Sequence, residues 1–311
     1  MDTNTNTNTN TVHAGEREVQ LRAGVHERSA YVMQQVIRNA MPEQHIELFE
    51  KLPTILVGSL DAQRRPWASV LAGWPGFMHA PDAQHLRIEA LPRGGDPLAL
   101  QLGMPLGLLG IEPQTRRRNR MNGSVVALDS HGFTLQVDQS FGNCPKYIQA
   151  RSPRWVDRGT PPPALPEHTR LSAAALQLVR RADTLFIASA TPQARGHAGA
   201  EGVDVSHRGG PPGFVQVSEN GNGAAVLSIP DYRGNNFFNT LGNLAANPLA
   251  GLLFIDHDSG DLLHLSGRTE LLWSEAGDQR EIRFTVEAGW RRERALPLSW
   301  SSPELAPQFI A

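Results

Sequence analysis

The chain has 311 residues, 40% hydrophobic and 19% charged, and its 29 basic and 31 acidic residues leave a net charge of −2. That length allows two ordinary domains with a core each, and the near-neutral charge gives no reason to expect a nucleic acid or an anionic membrane as main partner. Cys144 is the only cysteine, which excludes an intrachain disulfide and a cysteine-built metal site. No apolar run approaches the ~18 residues of a membrane helix and no basic-then-apolar signal opens the chain, so a cytoplasmic location is expected.

Residues 1–11 are a Thr-Asn repeat with nothing to bury, and the expectation is a disordered tail over 1–16. Residues 19–38 have helix-like content, and 42–51 form a second short helix with Pro42 near its start. Residues 54–60 and 66–72 read as strands joined by the turn Asp61-Ala-Gln-Arg-Arg65, a β-hairpin. The basic run Arg116-Arg-Arg-Asn-Arg120 lacks interleaved aromatics and reads as a charged strand edge. Pro161-Pro162-Pro163 is a stiff linker. A helix over 172–181 and strands over 184–189 and 202–206 follow, the last ending near His207-Arg208-Gly209-Gly210. An apolar stretch then ends at Ile229, and a turn runs through Pro230, Asp231, Arg233 and Gly234. A short helix over 238–246 is stopped by Asn247-Pro248, and 249–255 reads as a buried strand. Backbone N–H groups at that helix start, beside Asn236, Asn239, Thr240 and Arg233, can hold a phosphate.

The two halves say similar things. Pro75-Gly-Phe77 matches Pro212-Gly-Phe214, and the stretch from Leu86 to Gly94 matches that from Leu227 to Gly234. The stretch from Met104 to Glu112 matches that from Asn247 to Asp256, and Phe133-Thr-Leu-Gln-Val137 matches Ile282-Arg-Phe-Thr-Val286. Offsets rise along the chain, as a duplication with loop insertions would give. Each half has many short strands and few helices, with no βαβ alternation and no Gly-rich nucleotide fingerprint. The expectation is therefore mainly β with short helices: two small antiparallel barrels packed as a pseudo-twofold dimer, with the ligand site in the cleft between them. The domains fall at 17–158 and 159–311.

The run Asp231-Tyr-Arg-Gly-Asn-Asn-Phe-Phe-Asn-Thr-Leu-Gly-Asn-Leu, continuing through Asn247-Pro248 to Phe254-Ile-Asp256, resembles the pyridoxamine 5′-phosphate oxidase-like superfamily of FMN-binding split barrels. Gln139-Ser-Phe-Gly-Asn-Cys-Pro-Lys-Tyr147 and Arg65-Pro-Trp-Ala-Ser69 resemble its two-barrel branch. The resemblance implies FMN between the barrels, with His207 and Arg208 by the ring and Arg233, Asn236, Asn239 and Thr240 at the phosphate. Asn239 and Thr240 stand where the oxidase has an Arg-Lys pair, so the positive charge falls to Arg233 or Arg208. The end of the first barrel implies contacts in trans from Asn143 and Lys146, while Gly289-Trp-Arg-Arg292 would face a second, degenerate site. The implied function is FMN-dependent oxidoreduction of a small molecule, with no acid–base residue forced, no metal and no nucleic acid; the chain could form a homodimer. A flavin carrier without turnover and a haem-binding split barrel are the alternatives. Cys144 reads as an inert thiol.

Overall fold

Three helices precede the first strand in the computed structural model, which describes residues 11–194, 200–277 and 279–310. Helix α1 (Ala14–Arg22) opens with a reciprocal cap: His13 Nδ1 accepts from Gly15 N at 3.1 Å, and the Glu16 carboxylate accepts from His13 N at 3.1 Å. Helices α2 (His26–Val36) and α3 (Glu43–Lys51) follow, and α3 buries Leu48 and Phe49. Residues 1–10 of the expected tail lie outside the described residues. The remainder is built into the fold: Thr11 and His13 are buried, and Glu16 lies in α1, where it is 3% exposed.

Strands β1 (Thr54–Leu60), β2 (Pro66–Ala72), β3 (Met78–Asp82), β4 (His85–Ile88), β5 (Pro105–Glu112), β6 (Arg117–Leu128) and β7 (Phe133–Gly142) form an antiparallel sheet in the order β2-β1-β5-β6-β7-β4-β3. After the short β8 (Pro153–Trp155) and β9 (Leu165–Glu167) comes α4 (Ala173–Arg181), which occupies the place α3 has before β1. Then β10 (Thr184–Ala190), β11 (Val203–Gly209), β12 (Gln216–Glu219), β13 (Ala225–Pro230), β14 (Leu249–Ile255), β15 (Leu262–Trp273) and β16 (Arg280–Arg292) form a second sheet. Its order is β11-β10-β14-β15-β16-β13-β12, the same permutation as the first. Helix α5 (Asn239–Ala246) links β13 to β14, and its counterpart in the first unit is a helix-free loop. The last strand, β17 (Leu298–Trp300), pairs with β8. Among the described residues the fold is thus mainly β with five short α-helices, in two tandem split-barrel units.

Period-two alternation explains why the central strands read as unbroken apolar runs. In β10, Leu185 and Ile187 face the core of their own unit, whereas Phe186 and Ala188 face the other unit. In β1, Ile55 and Val57 point inward and Leu56 across; in β14, Leu252 and Phe254 point inward and Leu253 and Ile255 across. The interface core therefore draws on both sheets, and its contacts are reciprocal: β2 meets β14 as β11 meets β5. Glycine permits this approach. A Cβ on Gly107 would lie 2.5 Å from the Val203 carbonyl oxygen, and one on the matching Gly251 would lie 2.4 Å from that of Pro66.

Two features depart from the sequence reading. The Arg116–Arg120 run is not a sheet edge: from Arg117 it belongs to β6, which is paired on both sides, with β5 and with β7. The charge of Arg118 and Arg120 is accommodated because both face the cleft between the units. Helix α1 packs on α5 of the second unit, with Val19 in the second unit's core. The contact is backbone against backbone, since a Cβ on Gly15 would lie 2.2 Å from the Gly242 carbonyl oxygen.

Candidate functional site

Strands β6 and β11 meet across the unit interface and bring their polar faces together. Above them, the turn after β13 and the start of α5 close a cleft of roughly 830 Å³ including its mouth. Its walls carry Arg118, Arg120, Lys146, Arg208 and Arg280, five cations against the single carboxylate of Asp231. The carboxylate does not cancel the cations. Asp231 bridges two of them, accepting from Arg208 Nη1 and, at 2.7 Å, from Arg280 Nε. Arg120 is held from beneath by Asp204, at 2.9 Å, and by Ser206 Oγ. Among the described residues Arg118 has no carboxylate partner; it donates through Nη1 to His207 Nδ1 at 3.0 Å. Burial of its guanidinium, together with the nearby charges of Arg120 and Arg208, pushes the pKa of Arg118 down to about 10, which still leaves it a cation at neutral pH. Burial and the charges of Arg118 and Arg208 hold His207 well below the usual histidine range, so its ring is neutral.

Four buried nitrogens in this wall have no protein partner: Nε of Arg118, Arg120 and Arg208, and Nδ2 of Asn143. Unpartnered buried donors of this kind are costly unless a ligand or water takes them. The backbone around the cleft is also constrained. Of the six described non-glycine residues with left-handed φ, Tyr147 (68°), Asn236 (65°) and Phe238 (61°) line it. Such residues cost of order 1–3 kcal/mol each and cluster at ligand sites. Phe238 is the N-cap of α5, and no side chain caps that helix. Its first turn, Asn239 to Leu241, lines the cleft, where the positive end of the helix dipole favours an anion. Tyr147 and Tyr232 pack with centroids 5.2 Å apart, and the Arg280 guanidinium lies 5.0 Å from the Phe238 ring centroid.

Seven of the eight residues expected from sequence line this cleft: Asn143, Lys146, His207, Arg208, Asn236, Asn239 and Thr240. Arg233 does not. Its side chain is exposed, and its carbonyl oxygen accepts from Tyr147 Oη at 2.9 Å. Asn239 donates to the Glu16 carboxylate and Thr240 to Ser206 Oγ at 2.9 Å, so both are anchored from below. The sequence reading missed Arg118, Arg120 and Arg280, which also line the cleft. The alternation of Arg118 and Arg120 along one strand face was the available signal. Nothing in the sequence ties Arg280 or Glu16 to the site. Glu16 is buried beneath α5, and burial followed by the charge of Asp204 raises its pKa to about 8.

The equivalent place in the first unit is largely filled, leaving a pocket of roughly 310 Å³ including its mouth. Matching registers put Val70 where His207 stands, His264 where Arg120 stands, and Arg292 where Asn143 stands. Arg292 Nη1 donates to Asp96 at 2.7 Å, Ser69 Oγ to the same carboxylate at 2.6 Å, and Arg292 Nη2 to the carbonyls of Arg93 and Gly94. Both charges of this pair are internally satisfied and nearly inaccessible, at 5% and 2% side-chain exposure.

No protein-family profile matches the chain, and no curated protein matches it in sequence. Among solved structures, the chain is similar to the haem storage protein HutZ of Vibrio cholerae (15% identity, TM-score 0.26, covering 40% of this chain and 95% of that one). It is similar to an FAD-binding protein, mll6688, of Mesorhizobium loti (14%, TM-score 0.27, 42% and 97%). It is also similar to a general stress protein 26-related protein of the pyridoxinephosphate oxidase family from Clostridium acetobutylicum (14%, TM-score 0.26, 42% and 92%).

Proposed function

We propose that the cleft binds FMN and that the protein is an oxidoreductase acting on a small molecule, built from a duplicated split barrel that kept one of two sites. The observation that carries the reading is the cleft's charge: five cations and one carboxylate, with unpartnered N–H groups on Arg118, Arg120 and Arg208. A phosphate dianion satisfies such donors, and charge-assisted hydrogen bonds to guanidinium are the strong ones. Arg208, Arg280, Asn236 and the first turn of α5 would hold the phosphate. Arg118, Asn143 and Lys146 would meet the polar edge of the ring system, with His207 holding Arg118 through Nδ1 and Tyr147 and Phe238 beside the ring's apolar surface. When bound, a flavin supplies hydride or single-electron exchange.

The chain's own residues bind, orient and exclude water. Neutral His207 keeps its proton on Nε2, because Arg118 can only donate to Nδ1. Asp231 fixes two guanidinium planes and leaves the remaining N–H groups for the ligand. Asp204, Asn243 and Asn122 hold Arg120 from beneath through bonds of 2.8–2.9 Å to the Asp204 carboxylate. The test is the absorbance of purified protein near ~450 nm, a property of the oxidised flavin, followed by titration with FMN. A colourless protein that takes up no FMN would overturn the reading.

A further inference from the structure

A second cavity lies behind the anion cleft, on the pseudo-twofold axis, and encloses roughly 700 Å³ including its mouth. Its walls come in matched pairs from the two units: Leu56 with Phe186, Val70 with His207, and Ile111 with Ile255. Among the described residues, His207 alone lines both this chamber and the cleft. The other walls are mostly apolar, with Trp300 and Ile148 among them.

The charges around the chamber are all answered within the protein. Lys51 pairs with Glu112 at 2.8 Å, and Arg151 with Asp183. Gln149 donates to the Gly210 carbonyl at 2.8 Å and accepts from Ala306 N at 2.6 Å. The two histidines present, His207 and His257, are both kept neutral, chiefly by burial. The chamber therefore offers no unpaired ion to a charged ligand, and burying a charge there would be costly. It does offer a hydrogen-bond donor. Arg118 donates to His207 Nδ1, so the ring proton sits on Nε2. Volume, apolar walls and a few placed polar groups are the marks of a small-molecule site.

We propose that the axial chamber is a second binding site, for a neutral, largely apolar carbonyl compound, whose oxygen accepts from His207 at the wall shared with the anion cleft. The neutral chamber and the cationic cleft select opposite chemistries, and the two sites share one imidazole. The inference stands on the chamber's walls and not on the identity of the cleft's ligand.

The probe is prodan, a neutral naphthyl ketone whose emission shifts with its surroundings, titrated into the full chain as purified. The expected result is saturable binding of one probe per chain with blue-shifted emission. Val70→Phe and Ile148→Phe fill the chamber and should each weaken binding at least tenfold. Arg208→Ala should weaken FMN binding and leave prodan binding within twofold, which separates failure of this proposal from failure of the flavin reading. Emission that grows without saturating would overturn the proposal, as would wild-type affinity in the folded filling variants. If neither filling variant folds, energy transfer from tryptophan decides. Trp300→Phe, read at saturating probe, should remove a large share of the sensitised emission, and unchanged transfer would overturn the placement.

Discussion

Gly242 sits in the middle of α5, where replacing glycine with alanine ordinarily stabilises a helix by about 0.5–1 kcal/mol. Here the tertiary contact reverses the sign. A Cβ at Gly242 would lie 2.6 Å from both Cα and N of Glu16, where ordinary contact begins near 3.4 Å. The atoms it meets include backbone, so rotating side chains cannot relieve the clash, and α1 must move by most of an ångström. That movement strains the bond from Asn239 to Glu16 and the 3.0 Å bond from Gln20 to the Phe237 carbonyl. Overpacking of this kind costs about 1–3 kcal/mol and each weakened bond about 0.5–1.5 kcal/mol. Less the gain in propensity, Gly242→Ala should lose about 1–5 kcal/mol. With a urea slope of about 2 kcal/mol/M, the midpoint falls by about 0.5–2.5 M. Gly221→Ala is the control, because a Cβ there meets nothing within 4 Å. The variant should also bind FMN several-fold more weakly, since α5 begins with Asn239 and Thr240. A Gly242→Ala protein as stable as the wild type, or more so, would mean that α1 is not seated on α5.

The cleft's cations give a second expectation. Arg118→Ala and Arg208→Ala should each weaken FMN binding tenfold or more, as a charged hydrogen bond is worth about 1.5–3 kcal/mol, while Arg233→Ala stays within twofold; isothermal titration reads all three. Glu16 gives a pH dependence. Its folded pKa of about 8 lies above the ordinary value of 4.5, so the native state binds the extra proton and its contribution to stability is present below pH 4.5 and lost as pH rises through about 8. Subtracting the stability curve of Glu16→Gln from that of the wild type should leave a fall across that window, and a flat difference would refute the assignment. In the largely filled counterpart site, Asp96→Ala strands the buried Arg292 and should cost about 3–5 kcal/mol, whereas Asp96→Ala with Arg292→Met should cost less; denaturation of the two variants compares them.

The two units share a permutation of strands, yet their sites differ by a few substitutions at matched positions. Asn143 against Arg292 and His207 against Val70 decide whether the space between the sheets is open and cationic or closed by an internal ion pair. The same packing that made both sites possible also left the chamber on the axis, where each unit supplies part of the walls.

By itself the sequence determined the local and near-local features. The Pro-Gly-Phe turns, the apolar runs of β10 and β14, and the stop at Asn247-Pro248 each follow from propensities and spacing within a few residues. The repeat of these features between halves made two tandem units legible, and the polar run from Asp231 to Thr240 marked one wall of the cleft. Tertiary structure alone decided the rest, because the deciding contacts join residues far apart in sequence. Arg118 and Arg120 come from β6 of the first unit to meet His207, Asp204 and Ser206 of the second. Arg280 reaches the same carboxylate as Arg208 from the start of β16, and Glu16 supports Asn239 from a helix 223 residues away. A basic run on an expected edge and a basic run lining a cleft have the same sequence. Only the pairing of β6 on both sides, with its alternate side chains turned to the other unit, separates them.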